Sequence, residues 1–325
     1  MSTLILCFHR IANPDHGGRS LLAISPEDFE KTLTEIGRSR EFVTLEESSR
    51  PSSAQRAVVT FDDGYLDNLT AALPILESRG IPATFFLSTG FIDSDLLFPP
   101  DALDAVMEVP RADISAGLEN LIANGYWKAL DTLASSPTDH YWRVLEDARD
   151  VVRDRVLSVD STRRPMTLIE AKELARSPMA SIGPHTVSHR RLSHLKVEEA
   201  LDEVEASVEW LNRENFDISP FFAYPYGQVA DISPVLSAKI RDQGFEPLTT
   251  LPIVVTGRSR AIQQRWGTPR LSVGPSEIAQ WSIISRLMDA FGDIPRVWLS
   301  LLALRRRARV AVSRFRAKAG KGIAW

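Results

Sequence analysis

Two adjacent carboxylates end an apolar run in the stretch VVTFDDGY, residues 58–65. Neighbouring negative charges repel each other, so proteins keep such pairs in turns, at cation sites, or where one carboxylate acts as a base. Adjacent residues on a bending chain point in different directions, and Gly64 allows a sharp bend directly after Asp62 and Asp63. The two aspartates can therefore take different chemical roles, although a β-turn, which Asp and Gly favour, would also explain the motif.

A pair of histidines supplies the second candidate motif, in the stretch SIGPHTVSHRRLSHL. His185 and His189 stand at i and i+4, and on a helical turn this spacing places both imidazoles on one face, where they can share a metal. Two histidines and one aspartate are the three protein ligands typical of a catalytic zinc-like site with an open position. A single histidine would be read as a core or surface residue, and we interpret His194 in that way.

The third candidate motif is FFAYPYG, residues 221–227, a strand-like run that ends in proline and glycine. Tyr224 and Tyr226 are candidates to line a sugar-binding cleft, and a backbone N–H group there could face an oxyanion. Taken alone, the motif is equally well explained as an aromatic turn.

Short apolar runs recur along the chain and predict the elements that must position these motifs. They have the length of strands but lack alternation, which indicates strands buried on both faces, as in a parallel sheet or barrel. Amphipathic helical patterns lie between several of them. One starts at Ser25 with Pro26 in the first position, one ends at Gly80, and one opens with a capping box of Thr167 and Glu170. We therefore predict an α/β fold, a barrel in which the carboxyl ends of the strands bring the motifs to one rim. The seven runs are LILCF, FVTL, AVVTF, ATFFL, MASI, FFAY and PRLSV.

Two segments depart from this alternation. Residues from about 96 to 164 contain no convincing strand and predict a helical insertion, which either shapes a substrate cleft or only packs on the barrel. Residues 295–325 carry many Arg and Lys and no acidic residue. We expect a basic C-terminal helical tail: either a solvated terminal helix or frayed tail, or a helix that touches an anionic membrane surface or a polyanion. The predicted division is a barrel domain over 1–294 and the tail over 295–325.

Composition restricts the function classes. The net charge of −4 and the pI near 5.9 give the chain no nucleic-acid signature. The single cysteine, Cys7, cannot form an intrachain disulfide. The apolar run at residues 4–8 is too short for the core of a signal peptide, and no apolar run approaches the roughly 20 residues of a membrane span. We therefore expect a cytoplasmic protein, which the tail could bring into contact with the inner membrane face.

The stretches TFDDGY, HTVSH and FAYPYG, in this order, resemble the first three motifs of the polysaccharide deacetylases, which contain the NodB-type domain of carbohydrate esterase family four. The resemblance extends from about residue 4 to residue 273, with the helical segment as an interruption. It implies a distorted (β/α)7 barrel and a metal-dependent hydrolase that removes N-acetyl, or sometimes O-acetyl, groups from glycans.

The resemblance also implies a division of labour among the motif residues. Asp62 matches the catalytic base, and Asp63, His185 and His189 match the metal ligands. Such a metal polarises the substrate carbonyl and lowers the pKa of bound water, while Asp62 takes the proton. Zn²⁺ is expected from the ligand types, and Co²⁺, Ni²⁺ and Mn²⁺ also fit them. The predicted substrate-binding residues are Tyr65, Tyr224, Pro225 and Tyr226.

Two positions differ from the pattern of the family. Ala223 stands where many members carry an arginine that orients the base, and we predict that Arg270, in TPRLSV, replaces it. No histidine follows His194, so the late general acid of the family is missing. We predict that His9, after the first strand, is the acid, as in a permuted branch of the family. The alternative for Arg270 is an ordinary surface arginine, and the alternative for His9 is a structural histidine at a strand end.

The sequence thus predicts a metal-dependent hydrolase that removes N-acetyl groups from a carbohydrate. A deformylase or deacylase of a lipid-linked amino sugar is the alternative, because the same metal and base would serve it. A non-catalytic glycan-binding barrel is an alternative from another class. Such a barrel is expected to lack a ligand or the base, whereas Asp62, Asp63, His185 and His189 are all present.

Overall fold

Parallel strands and helices alternate along residues 3–13, 22–156, 163–250 and 267–274, the part of the chain that the computed structural model describes. The strands are β1 Thr3–Phe8, β2 Arg10–Ile11, β3 Ala23–Ile24, β4 Glu41–Phe42, β5 Arg56–Phe61, β6 Ala83–Leu87, β7 Ala180–Pro184, β8 Phe221–Ala223, β9 Glu246–Thr249, β10 Thr268–Pro269 and β11 Leu271–Ser272. The α-helices are α1 Pro26–Gly37, α2 Leu45–Ser48, α3 Leu73–Arg79, α4 Pro99–Met107, α5 Ala116–Ile122, α6 Tyr126–Ala134, α7 Thr138–Val156, α8 Leu168–Ala175, α9 Val197–Arg213 and α10 Pro234–Asp242.

The main strands form two parallel sheets. One has the order β11-β1-β5-β6-β7, with β4 also paired to β5, and the other has the order β10-β9-β8. They meet between β7 and β8, where the Ser219 N–H donates to the Ile182 carbonyl at 2.8 Å. They meet again where Arg270 alone separates β10 from β11. With β10 and β11 counted as one position, the strand neighbours run β1, β5, β6, β7, β8, β9 and β10–β11, and then return to β1. This order of seven positions confirms the predicted α/β class with a barrel-like strand order.

The strands are buried on both faces, which explains why their sequences lack alternation. One face of β1 and β5 packs against α1, with Leu6, Phe8 and Phe61 in the same apolar cluster as Phe29 and Leu33. The opposite faces of β1 and β5 contribute to a second cluster, which residues of β6, β8 and β9 share with the segment that follows β4. Its members are Ile5, Val43, Leu45, Val58, Phe86, Phe221, Ala223 and Leu248.

Helix boundaries follow the predicted sequence signals. Ser25 is the N-cap of α1 and accepts from the Asp28 N–H, with Pro26 in the first turn. Thr167 and Glu170 form the predicted capping box of α8. Gly80 ends α3 in the left-handed region, with φ 61°. These local signals are confirmed because they depend on backbone groups within one turn of the helix end.

The helices α4 to α7, here called the helical insertion (residues 99–156), lie between β6 and β7 in the chain. They form an apolar cluster of their own, to which the barrel contributes Tyr65 and Phe91. Arg163 closes the segment through ion pairs to Asp101 at 2.6 Å and Asp104 at 2.8 Å. The insertion is thus helical as predicted.

The predicted division into 1–294 and 295–325 stays a prediction, because residues 275–325 lie outside the described part of the chain. Within the described residues, none of the helices combines the length and apolar character that a membrane crossing requires.

Candidate active site

The two adjacent aspartates lie directly after β5, at the carboxyl edge of the main sheet. The Asp62 N–H donates to the Phe8 carbonyl at 2.9 Å, which continues the pairing of β5 with β1. Asp63 then adopts φ 79° and Gly64 φ 99°, so the chain turns sharply in the left-handed region. Asp tolerates this region better than most residues, and glycine favours it. The turn directs the two carboxylates to different partners, and both are buried.

Asp63 meets the two histidines of the second motif. Its Oδ1 atom lies 3.0 Å from His189 Nε2 and 3.4 Å from His185 Nε2. This buried oxygen has no hydrogen-bond partner among the described residues. Ligand atoms about 3.3 Å apart are expected around a tetrahedral ion with metal–ligand distances of roughly 2.0–2.1 Å. The three residues therefore fit a divalent cation by donor type and by separation.

The histidines lie in a loop rather than on the predicted helical turn. Thr186 has φ 68° and His189 φ 55°, both in the left-handed region. The His189 N–H donates to Thr186 Oγ1 at 3.0 Å, which stabilises this turn. The helical prediction was wrong because spacing alone cannot distinguish a helical turn from a loop that folds back. The two imidazoles nevertheless converge, with ring centroids 5.0 Å apart.

The orientation of His185 is fixed from behind. Its Nδ1 atom lies 2.7 Å from the carbonyl oxygen of Ala223, at the end of β8. A carbonyl can only accept, so this contact places a proton on Nδ1 and leaves Nε2, which faces Asp63, as the nitrogen available to a metal. Metal-binding histidines in proteins are commonly held by such a second contact.

Asp62 is held by Arg270, from the junction of β10 and β11. The guanidinium donates to Asp62 Oδ1 and Oδ2, each at 2.7 Å, and also to Thr60 Oγ1 at 3.2 Å. Burial, the largest single influence, raises the pKa of Asp62. The charge and hydrogen bonds of Arg270, together with the nearby histidines, outweigh burial and lower the pKa below its ordinary value. Burial is likewise opposed at Asp63, where the adjacent His189 and His185 hold the pKa well below the usual range. Both carboxyl groups are thus kept ionised.

Replacing Arg270 by methionine is expected to lower the free energy of unfolding by about 3–5 kcal/mol, because it leaves the buried Asp62 charge without its partner. The side chains of Arg270 and Asp62 are 0% and 3% exposed. Urea denaturation measures the change, and Arg79→Met is the control, since Arg79 belongs to a half-exposed ion pair with Glu30 and such pairs contribute about 0–1 kcal/mol. Equal effects of the two substitutions would contradict the prediction.

His9 and Cys7 complete the surroundings of Asp62. A ring nitrogen of His9, the Cys7 sulfur and a carboxylate oxygen of Asp62 all lie within 4.8 Å of one another. The thiol donates to Asp62 Oδ2 at 3.2 Å. Asn68 donates to the His9 carbonyl at 2.7 Å and fixes the chain there. Cys7 was not predicted as a site residue. Its position was nevertheless predictable, because side chains two residues apart along a strand share a face, and Cys7 stands two residues before His9.

The predicted substrate-binding residues divide into two groups. Tyr226 is partly exposed, and its ring lies 5.0 Å from that of His189. Tyr65 and Tyr224 are both 0% exposed. The Tyr65 hydroxyl donates to Asp101 at 2.6 Å, and the Tyr224 hydroxyl pairs with Ser237 at 3.0 Å. These two tyrosines pack beneath the rim, so their burial does not favour the predicted contact with substrate. Pro225 is buried between Tyr224 and Tyr226.

Arg191 was not predicted and lies beside Tyr226. Its guanidinium carbon is 4.0 Å from the centre of the Tyr226 ring. The guanidinium also pairs with Asp231, which holds it in place. Cationic residues over an aromatic face contribute about 0.5–2 kcal/mol. Arg191 therefore fixes the orientation of the aromatic ring next to His189.

A buried glutamate holds the loop that carries the histidines. Glu203, on α9, accepts from the N–H groups of Val187 at 3.1 Å and Ser188 at 2.9 Å, and from the Ser188 hydroxyl at 2.6 Å. Arg190 donates to the same carboxylate at 3.0 Å. From the helical insertion, the Tyr141 hydroxyl donates to the Ser188 carbonyl at 2.5 Å. Two separate elements thus fix the backbone between His185 and His189.

The sequence did carry a signal for Glu203. It stands on the helix face that also presents Ala200, Val204, Ser207 and Leu211, all of which are buried. A carboxylate on the apolar face of an amphipathic helix requires a partner, and here the partner is the histidine loop.

Comparisons with known proteins agree with the geometry. The family model described as polysaccharide deacetylase matches residues 49–145 and 158–246. The structure of IcaB from Ammonifex degensii superposes with TM-score 0.53 and 18% identity, over 87% of this chain and 96% of the other. The deacetylase PplD of Streptococcus pyogenes, solved with acetate, superposes with TM-score 0.53 and 18% identity, over 85% of this chain and 93% of the other. BC0361, a polysaccharide deacetylase from Bacillus cereus, superposes with TM-score 0.55 and 16% identity, over 87% of this chain and 68% of the other. At these identities the likeness shows the fold. No curated protein matches the sequence.

Proposed function

The chain belongs to the polysaccharide deacetylase family, and on this premise we propose that it is a metal-dependent hydrolase that removes the N-acetyl group from a carbohydrate. The observation that carries the proposal is the convergence of Asp63, His185 and His189, with ligand atoms 3.0 and 3.4 Å apart, beside a second carboxylate. That second carboxylate, Asp62, is kept off the cluster by Arg270.

The metal would be held by Asp63 Oδ1, His185 Nε2 and His189 Nε2. When bound, such an ion polarises the acetyl carbonyl and lowers the pKa of a bound water to about 7. Zn²⁺ is the ion we propose, because two imidazoles and one carboxylate are a common catalytic zinc set. Co²⁺, Ni²⁺ and Mn²⁺ also accept these donors.

The residues of the chain itself move the protons. Asp62, ionised and fixed by Arg270, accepts a proton from the water whose oxygen adds to the acetyl carbon. His9 gives a proton to the sugar nitrogen as the carbon–nitrogen bond breaks, so acetate and a free amine leave. The Tyr226 ring, which is partly exposed and lies 5.0 Å from the His189 ring, supports the sugar beside His189. Arg270 is a positioning residue, since it acts through Asp62.

The proposal is tested by acyl release from a panel of N-acylated sugars, presented free, nucleotide-linked and lipid-linked, with Zn²⁺ supplied. Acetate is expected from at least one N-acetylated sugar. Formate release without acetate would show that the acyl group removed is formyl rather than acetyl, which favours the deformylase. Release of neither acid from any member of the panel would contradict a hydrolase and favour the glycan-binding barrel.

Glu203 provides a test of how the histidine loop is held. Glu203→Gln is expected to weaken Zn²⁺ affinity about 10–100-fold, the usual effect of losing a partner behind the metal ligands. The amide cannot accept from Val187 and Ser188 while keeping the pair with Arg190. Zn²⁺ affinity is measured by competition with a chromophoric chelator, with an unchanged circular dichroism spectrum as the folding check.

The matched control for Glu203 is Glu209→Gln, on an exposed position of the same helix. This control should bind Zn²⁺ like the unaltered protein. Equal affinities of both variants would show that Glu203 does not position the loop.

The cytoplasmic location, and the contact of residues 295–325 with an anionic membrane, remain predictions from sequence. The tail lies outside the described residues, so the structure adds nothing to either.

A further inference from the structure

A second group of metal-binding side chains lies next to the proposed metal ligands. It consists of Cys7, His9 and Asp62, whose sulfur, ring nitrogen and carboxylate oxygen lie within 4.8 Å of one another. Thiolate, imidazole and carboxylate are all ligands that Zn²⁺ accepts. From this geometry we propose that Cys7, His9 and Asp62 form a second divalent-metal site, which inhibits the enzyme when filled.

The thiol already points at the position that an ion would take. Its proton lies between Cys7 Sγ and Asp62 Oδ2, which are 3.2 Å apart. Binding would replace this proton: the S–H bond breaks, the proton leaves to solvent, and the ion bonds to the thiolate, to the oxygen and to the His9 ring. A carboxylate has about four lone-pair sites, of which Arg270 occupies one on each oxygen. Asp62 therefore retains a position for the ion.

The second site is expected to fill only after the first. The Cys7 thiol must lose its proton before it can bind an ion, and that proton is held in the hydrogen bond to Asp62 Oδ2. The ion must therefore displace a firmly held proton. Asp63, His185 and His189 contain no thiol and require no such loss.

Filling the second site would remove both proton-transfer groups at once. Asp62 could no longer accept a proton from water, and His9 could no longer give one to the leaving nitrogen. This inhibition rests on the proposed function, whereas the binding itself does not. Sulfur ligands favour Zn²⁺ and Co²⁺ over Mn²⁺, so excess Zn²⁺ or Co²⁺ should inhibit more strongly than excess Mn²⁺.

Cobalt titration tests the site directly, because Cys7 is the single cysteine of the chain. A thiolate-to-cobalt charge-transfer band in the near ultraviolet can therefore come from Cys7 alone. The full-length metal-free protein should bind a first Co²⁺ without this band and a second with it. Deacetylation of the best substrate should rise with the first equivalent and fall with the second.

Cys7→Ser should bind one Co²⁺, show no band, and lose the inhibition by a second equivalent, measured against its own rate at one equivalent. Cys7→Ala serves as a second variant. If neither variant folds, the charge-transfer band of the unaltered protein still decides whether Cys7 binds the second Co²⁺. A titration that ends at one equivalent without a band would overturn the second site. A second equivalent bound equally well by Cys7→Ser would also overturn it. Either result would leave the proposed function intact, which instead fails if no Co²⁺ binds at all.

Discussion

Asp62→Asn is expected to lower kcat by about 10²–10⁴-fold, the usual contribution of a general base, while Zn²⁺ affinity stays within a few-fold of the unaltered protein. Asparagine keeps the shape of the side chain but cannot accept a proton from water. Asp62 is paired with Arg270 rather than with the proposed metal ligands, and its Oδ2 atom lies 4.0 Å from His185 Nε2. Steady-state acetate release and a chelator competition assay measure the two quantities.

The control for this variant is Asp242→Asn, an exposed residue at the end of α10. It makes the same chemical change away from the site and should leave kcat unchanged. If Asp62→Asn kept a kcat near that of the control, Asp62 would not be the base.

Asp63→Ala is expected to have the opposite signature, with Zn²⁺ affinity reduced by more than about 100-fold. This exceeds the roughly 10–100-fold effect of losing a partner behind the ligands, because Asp63 Oδ1 is itself a proposed ligand and lies beside both histidines. Equilibrium dialysis followed by elemental analysis measures the bound metal. Zn²⁺ content equal to that of Asp62→Asn would show that the two aspartates do not divide the roles as proposed.

The comparison of these two variants matters because their carboxylates are adjacent in sequence and equally buried. Only the turn at Asp63 and Gly64 separates their partners. One variant should lose proton transfer and the other should lose the ion, so a common loss of both would indicate general damage to the site.

The residues of the site were predictable from sequence because parallel strands end at a common edge. Asp62 and Asp63 follow β5, His185 follows β7, and Arg270 follows β10, so the strand order alone brings them together. The position of His9 after β1 has the same origin. A strand end can be located from an apolar run and the polar residue that follows it.

The local backbone of the histidine loop was not predictable in the same way. Thr186 and His189 adopt left-handed conformations. The backbone between them is held at Ser188 by Glu203 and Tyr141, which lie on other elements. A spacing of four residues fits a helical turn equally well, and only these distant contacts decide between the two.

The buried tyrosines show the same limit. Tyr65 and Tyr224 belong to motifs at the site, and an aromatic ring beside a glycan site suggests contact with sugar. The helical insertion covers Tyr65, and Asp101 accepts a hydrogen bond from the Tyr65 hydroxyl. Which of several rings stays open depends on what packs over it, and residue type alone does not contain that information.

The helical insertion also has a part in the site that its sequence did not reveal. The ring of Trp142 and the Val187 carbonyl approach Gly90 so closely that a Cβ atom there would lie 3.0 Å and 2.7 Å from them. Together with the contact of Tyr141 to Ser188, this packing places α7 against the histidine loop. The insertion therefore helps to position the proposed metal ligands.

The most direct test of the account is acetate release by metal-free protein before and after Zn²⁺ is restored. The chelator-treated protein should hydrolyse the N-acetylated sugar no faster than Asp63→Ala, and one equivalent of Zn²⁺ should restore the original rate. Full activity in protein that elemental analysis shows to be free of divalent metal would contradict the account.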